Sequence, residues 1–143
     1  MNVYLPRQLS RNCISDFLAR CHRQYPFIAN EEYLVPWCDK LAKNAYAVCI
    51  VKDDTIEAAC FYYLNDDVKI GYITLIAVLS EHRSGVGGAI IDRCLDDLKT
   101  RGASKVRLEV LRSNVAAFTF YIHHGFVVIE ERNDKFLMEK TLS

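Results

Sequence analysis

The segment from Val78 to Ile91, VLSEHRSGVGGAII, constrains this chain more than any other stretch. An apolar run ends at Val78, and an amphipathic pattern starts just past a cluster of glycines. Three of the six glycines in the chain fall within residues 85–88. This pattern reads as a strand entering a helix through a glycine-rich turn. A helix N-terminus leaves four backbone N–H groups without helical partners and carries about half a positive charge. Glycines there let an anion approach the backbone and permit positive φ. Ser84, Gly85, Val86, Gly87 and Gly88 therefore offer convergent donors to a diphosphate, and Arg83 adds a formal charge beside them. A Walker loop does not fit, because no Lys-Ser/Thr pair follows the glycines. A dinucleotide fingerprint lacks its third glycine, since Ile90 stands there, and this turn comes mid-chain rather than in an early βαβ unit. A glycine turn with no ligand is the bland alternative.

Around that turn the periodicities predict an α/β chain. Ser10 to His22 has apolar residues at 14, 17, 18 and 21, one face of a helix. A second helix follows Asn30, with Glu31 and Glu32 in its first turn. Pro36 predicts a kink there, or a restart with the proline in the first turn, because an interior proline costs about 3 kcal/mol. Residues 45–51, 55–64 and 68–78 read as strands, and 85–101 as a helix stopped by Gly102. Lys105–Leu111 alternates, placing Val106, Leu108 and Val110 inward. Asn114–His124 is a short helix stopped by Gly125, and residues 126–131 and 135–140 form a closing hairpin. The order ααβββαβαββ contains a strand–helix–strand crossover, which is expected to be right-handed. No repeat or linker interrupts residues 1–143, so one domain is expected.

The 143 residues carry 18 Lys plus Arg against 18 Asp plus Glu, so no global field argues for nucleic acid. No apolar run approaches the roughly 18 residues that cross a bilayer, and the N-terminus lacks a signal-peptide pattern. The six cysteines form no CxxC pair and no metal-ligand spacing. Reduced structural thiols in a cytoplasmic protein without a metal are the expectation.

The second half holds another pattern. Asn114, Ala117, Tyr121, Gly125 and Phe126 match Asn-x-x-Ala-x-x-x-Tyr-x-x-x-Gly-Phe in full. With the glycine turn, the chain resembles the GNAT N-acetyltransferase superfamily, whose acetyl-CoA motif is Gln/Arg-x-x-Gly-x-Gly/Ala at a strand–helix junction. Gly85 and Gly87 fill the glycine positions, while His82 occupies the first and Arg83 comes one place later. The resemblance covers residues 45–140. It implies a mixed, mostly antiparallel sheet flanked by helices, with a splayed parallel strand pair holding the cosubstrate acetyl-CoA.

The resemblance also implies direct attack of an amine on the thioester, without an acyl-enzyme. Ile76 would polarise the thioester carbonyl through its backbone, with Ala77 beside it, and Val78 would pair with the pantetheine arm. Asn114 would both cap its helix and contact that arm. Tyr121 would stabilise or protonate the departing sulfur. An amine with a pKa near 10.4 is neutral in about one molecule in 2,500 at pH 7, so a proton acceptor is expected. Some family members place a glutamate six residues before the equivalent of Val78, where this chain has Tyr72. Tyr72 acting through water, Glu57 and His82 are the candidates.

Tyr25, Phe27, Tyr33, Trp37, Tyr62 and Tyr63 are candidates to line an acceptor pocket. The leading expectation is acetylation of a small-molecule amine. A protein N-terminus or lysine is the second substrate reading, and a non-catalytic acetyl-CoA-binding module comes from another class. Dimers are common in the family, so a homodimer is a further expected partner, with no nucleic acid and no membrane.

Overall fold

The computed structural model describes residues 5–7, 9–24, 31–79 and 85–143. The elements are β1 (Leu5–Arg7), α1 (Arg11–Gln24), α2 (Glu31–Asn44), β2 (Tyr46–Lys52), β3 (Thr55–Asn65) and β4 (Ile70–Val78). They continue as α3 (Val86–Thr100), β5 (Lys105–Leu111), α4 (Val115–His123), β6 (Val127–Arg132) and β7 (Lys135–Thr141). The strands follow the order β1-β2-β3-β4-β5-β7-β6. The predicted α/β class and mixed sheet hold, and the order gains β1, a three-residue strand centred on Pro6. That strand exists through its partner: Leu5, Pro6 and Arg7 pair with Cys49, Val48 and Ala47. Helix α2 runs through Pro36 as one element rather than restarting there. The proline removes a single helical hydrogen bond in the second turn.

The chain forms two compact units, residues 1–62 with 75–94, and residues 63–74 with 95–143. In the first, α1 packs on β3 through Phe17 and Phe61, whose ring centroids lie 6.2 Å apart. Arg20 fastens the same helix to that strand, donating to the Ile56 carbonyl and to Glu57 Oε2 at 3.5 Å. The apolar interior here includes Ile14, Phe17, Leu18, Leu41, Val48, Ile50 and Phe61. Strands β2 and β3 turn through Asp53 (φ 50°) and Asp54 (φ 61°). Two positive-φ residues in a row suit the right-handed twist of a tight hairpin.

In the second unit β4 and β5 run parallel, from Ile70↔Lys105 to Ile73↔Leu108. Strand β7 pairs antiparallel with β5 over its whole length, and β6 pairs with β7 at the edge. Alternation divides this sheet into two faces. Gly71, Ile73, Val106, Leu108, Val110 and Met138 share the face that meets Leu98 of α3 and the α4 side, and apart from Gly71 they are core side chains. Tyr72, Arg107, Glu109 and Glu139 share the other, which is polar. Both helix stops are glycines at positive φ, Gly102 at 97° and Gly125 at 91°. After α4, the Phe126 N–H bonds the Tyr121 carbonyl at 3.0 Å, which fixes the chain's exit from the helix.

Candidate functional site

The first unit contains the strand end and the helix start. Gly85 has φ 74°, and nothing lies within 4 Å of where a Cβ would stand. The first hydrogen bond of α3 runs from the Ala89 N–H to the Gly85 carbonyl at 3.2 Å. The N–H groups of Val86, Gly87 and Gly88 thus have no partner inside the helix. No acidic residue stands in that first turn to oppose an anion. Glycine suits the left-handed backbone at position 85, and the space beside it is open. Arg83, Ser84 and His82 lie outside the described residues. Ile76, Ala77 and Val78 form the end of β4, with Ala77 buried and its two neighbours half-buried. Past them the Leu79 N–H is taken by the Glu57 carbonyl at 3.1 Å.

Glu57 itself, a candidate proton acceptor, is 14% exposed at its side chain and faces Arg20. That ion pair holds α1 to β3 and leaves Glu57 a structural task. Tyr62 is fully buried, its ring 6.0 Å from that of Tyr46, so it packs the interior rather than lining an open pocket. Trp37 is half-buried, the Tyr33 side chain is outside the described residues, and so are Tyr25 and Phe27. Burial pushes the Tyr63 phenol above its ordinary range.

The second unit contains the two candidate catalytic tyrosines, Tyr72 and Tyr121. Asn114 caps α4, its Oδ1 accepting from the Ala117 N–H at 3.2 Å. One turn later Tyr121 is 8% exposed. Its ring meets Phe120 edge-on at 5.4 Å and Phe126 edge-on at 5.8 Å, which restrains the phenol's direction. Across the sheet, Tyr72 has an unforeseen partner, its hydroxyl donating to Glu109 Oε1 at 3.1 Å. Burial first, then the charge of Glu109 and this hydrogen bond, push the Tyr72 phenol from 10.0 up to about 12. Arg132 bonds the other oxygen of Glu109 at 3.3 Å and also holds Glu130. Tyr72 is therefore a hydrogen-bond donor to a carboxylate near neutral pH and is poorly suited to be the base itself.

Alternation along β5 turns Glu109 outward with Arg107, where a charge is usually solvated, so the sequence alone does not single it out. The one available signal was its place on the polar face of β5, and register with β4 is needed to bring Tyr72 beside it. None of the six cysteines forms a disulfide. Burial raises Cys21 to about 12 and raises Cys38 as well, which suits inert thiols rather than nucleophiles. Among the described residues no group of three or more His, Cys, Asp or Glu side chains could hold a metal. No described helix is long and apolar enough to cross a membrane.

The sequence matches the profile of the Acetyltransferase (GNAT) family over residues 13–126. It is similar to N-alpha-acetyltransferase 30 of Schizosaccharomyces pombe, 39% identical over 57 residues, which is 39% of this chain. That match spans 38% of the yeast protein's length. The fold is similar to the PaiA N-acetyltransferase of Thermoplasma acidophilum, solved in complex with coenzyme A. The TM-score is 0.77 at 21% identity, covering 98% of this chain and 99% of the other. A GNAT-family acetyltransferase from Staphylococcus aureus Mu50 has a TM-score of 0.79 at 11% identity, covering 99% and 100%.

Proposed function

The chain belongs to the acetyltransferase (GNAT) family, and from that premise we propose that it is an acetyl-CoA-dependent N-acetyltransferase acting on the primary amine of a small molecule. The start of α3 carries the cosubstrate reading. Gly85 opens a positive-φ entry with clear space beside it, and the N–H groups of Val86, Gly87 and Gly88 have no partner inside the helix. That arrangement suits a diphosphate. Acetyl-CoA would bring the acetyl group as a thioester. The backbone of Ile76, Ala77 and Val78 would align the pantetheine arm, with Arg83 and Ser84 adding donors at the turn. A backbone N–H aimed at a developing oxyanion is worth about 3 kcal/mol.

Tyr121 would place its phenol on the departing sulfur. A phenol at about 10 loses a proton less readily than a thiol at about 8.5, so stabilising the thiolate comes before proton transfer. For the incoming amine, the Tyr72–Glu109 pair supports a relay. The Tyr72 oxygen would accept the amine's proton as its own proton moves to Glu109 Oε1, so no free phenolate forms. This assigns Glu109 the acceptor role and Tyr72 the passage to it.

Residues 1–143 would act as one acetyltransferase domain in the cytoplasm, with a homodimer as its assembly. A protein N-terminus is the second acceptor reading, favoured by the match to N-alpha-acetyltransferase 30. The test is thiol release from acetyl-CoA with 2-phenylethylamine, 1,4-diaminobutane, glucosamine and a Met-Leu-Gly peptide as acceptors. Acetylation of a small amine supports the first reading, and peptide alone the second. Coenzyme A binding with no acetylation of any of them would leave a binding module.

A further inference from the structure

Strand β6 breaks its pairing with β7 at one place. Val127 and Val128 face Glu139 and Met138, but Glu130, Glu131 and Arg132 face Leu137, Phe136 and Lys135. Ile129 is therefore an extra residue, a β-bulge. Its effect follows from the two-residue period of a strand, in which a slip of one residue sends every later side chain to the opposite face. Without the bulge, Glu130 would lie opposite Phe136 and Arg132 opposite Asp134, on the face that carries Met138. With it, Glu130 and Arg132 share the face of Leu137 and Lys135. Those residues pair with Glu109 and Leu111 of β5. The extra residue thus turns Arg132 onto the side of the sheet where Glu109 and Tyr72 meet.

We propose that the Ile129 bulge exists to aim Arg132 at Glu109, making Arg132 the positioning residue that fixes the proton acceptor. This rests on the assignment of Glu109 made above. Arg132 Nη1 holds Glu109 Oε2 at 3.3 Å, which leaves Oε1 for the Tyr72 hydroxyl at 3.1 Å. A carboxylate held at one oxygen is restrained from swinging away from the phenol. Arg132 is itself steadied, because its Nε donates to Glu130. The turn behind it is pinned too: Arg112 donates through Nε to the Asn133 carbonyl at 2.8 Å, and its backbone N–H bonds the Asp134 carbonyl at 2.8 Å. Within this unit the charged groups sharing the face of Glu109 are Lys105 and Arg107 on its own strand, Glu139 and Lys135 on β7, and Glu130 and Arg132 on β6, and Lys105 lies 3.7 Å from Glu139. Arg107 is engaged by Glu139 at 2.8 Å, so Arg132 is the guanidinium that reaches Glu109.

The test is a double-mutant cycle on turnover, with 2-phenylethylamine, 1,4-diaminobutane, glucosamine and the Met-Leu-Gly peptide as acceptors. Arg132→Gln should lower kcat about ten- to a hundredfold, the upper end being the scale of a catalytic group misplaced by about 1 Å, while KM for acetyl-CoA stays unchanged. Arg132→Lys, which can still reach one oxygen, should recover part of that loss. In a Glu109→Gln background, Arg132→Gln should cost nothing further. An equal loss in both backgrounds would show that Arg132 works by another route, and would overturn the inference while Glu109 stands. If Glu109→Gln turns over normally, or if none of these amines is acetylated, the assignment of Glu109 falls and takes this inference with it. Deleting Ile129 supplies a second variant: it should reproduce the kcat loss of Arg132→Gln, and full activity in a folded deletion would refute the aiming role.

Discussion

Replacing Glu109 by glutamine separates two chemistries that otherwise look alike. If the Tyr72 phenolate took the amine's proton, its supply would limit the reaction. With the phenol raised from 10.0 to about 12, native Tyr72 is held neutral more firmly than a free phenol. At pH 7 only about one molecule in 100,000 would carry the phenolate. Burial is the largest cause of the shift, and Glu109 acts twice more, through its charge and through the 3.1 Å hydrogen bond. Glutamine keeps the shape and removes the charge. The phenol should then titrate at lower pH, yet still above 10 because burial remains. Phenolate would become more abundant, so a tyrosinate base would work faster in the variant.

A carboxylate acceptor predicts the opposite sign. Glutamine cannot take a proton, and loss of a general base costs about a hundredfold or more. The assay is thiol release from acetyl-CoA at saturating amine, together with a near-ultraviolet phenolate titration. Tyr72→Phe serves as the blank that isolates one phenol among eight. A Glu109→Gln enzyme that matches or exceeds the parent rate, while its phenol titrates lower, would refute the relay.

Tyr121→Phe should lower turnover about tenfold or more and leave coenzyme A affinity nearly unchanged, since the ring packing against Phe120 and Phe126 survives; paired kinetics and calorimetry check this. Gly85→Ala should weaken coenzyme A binding, because alanine at φ 74° costs about 1 kcal/mol and pulls the turn toward negative φ; calorimetry reads the loss. Gly71→Ala should lower stability by about 1–3 kcal/mol, because the new methyl would stand 2.7 Å from Cδ1 of the fully buried Leu98; adding Leu98→Ala should make the substitution cheaper, as urea midpoints would show. Tyr72 also sets a pH dependence. Its phenol titrates higher folded than unfolded, so its contribution is intact below about pH 10 and is lost as pH rises toward 12. Tyr72→Phe should flatten that part of the alkaline decline in urea stability.

How much of this was legible depended on whether the cause was local. Lys105–Leu111 alternates strictly and is a strand with those bounds. Gly102 and Gly125 stop their helices where a left-handed residue was needed. Strand β1 was not legible, because three residues around a proline carry no period of their own and owe their state to β2. Of the two readings at Pro36, the restart fails and the helix continues through it, because one lost hydrogen bond is small beside what neighbouring elements supply. Tyr72 stands where some family members have an acid, but the acid it bonds lies 37 residues away on a parallel neighbour.

The polar cluster shows why parity decides so much here. Tyr72, Glu109 and Arg132 share a face only if three registers are right together: β4 with β5, β5 with β7, and β7 with β6. Sequence alternation gives the faces of each strand but never the phase between strands, and the bulge at Ile129 shifts that phase once more. Residues 127–132 read VVIEER, with no alternation to announce the extra residue and all six positions exposed. An uncovered edge strand can absorb an insertion without disturbing the apolar interior, where the same slip would bury charge. That tolerance makes β6 the part of this unit able to retarget a cation toward the acceptor carboxylate, and a chain that lost or moved the insertion would keep the fold while losing the grip on Glu109.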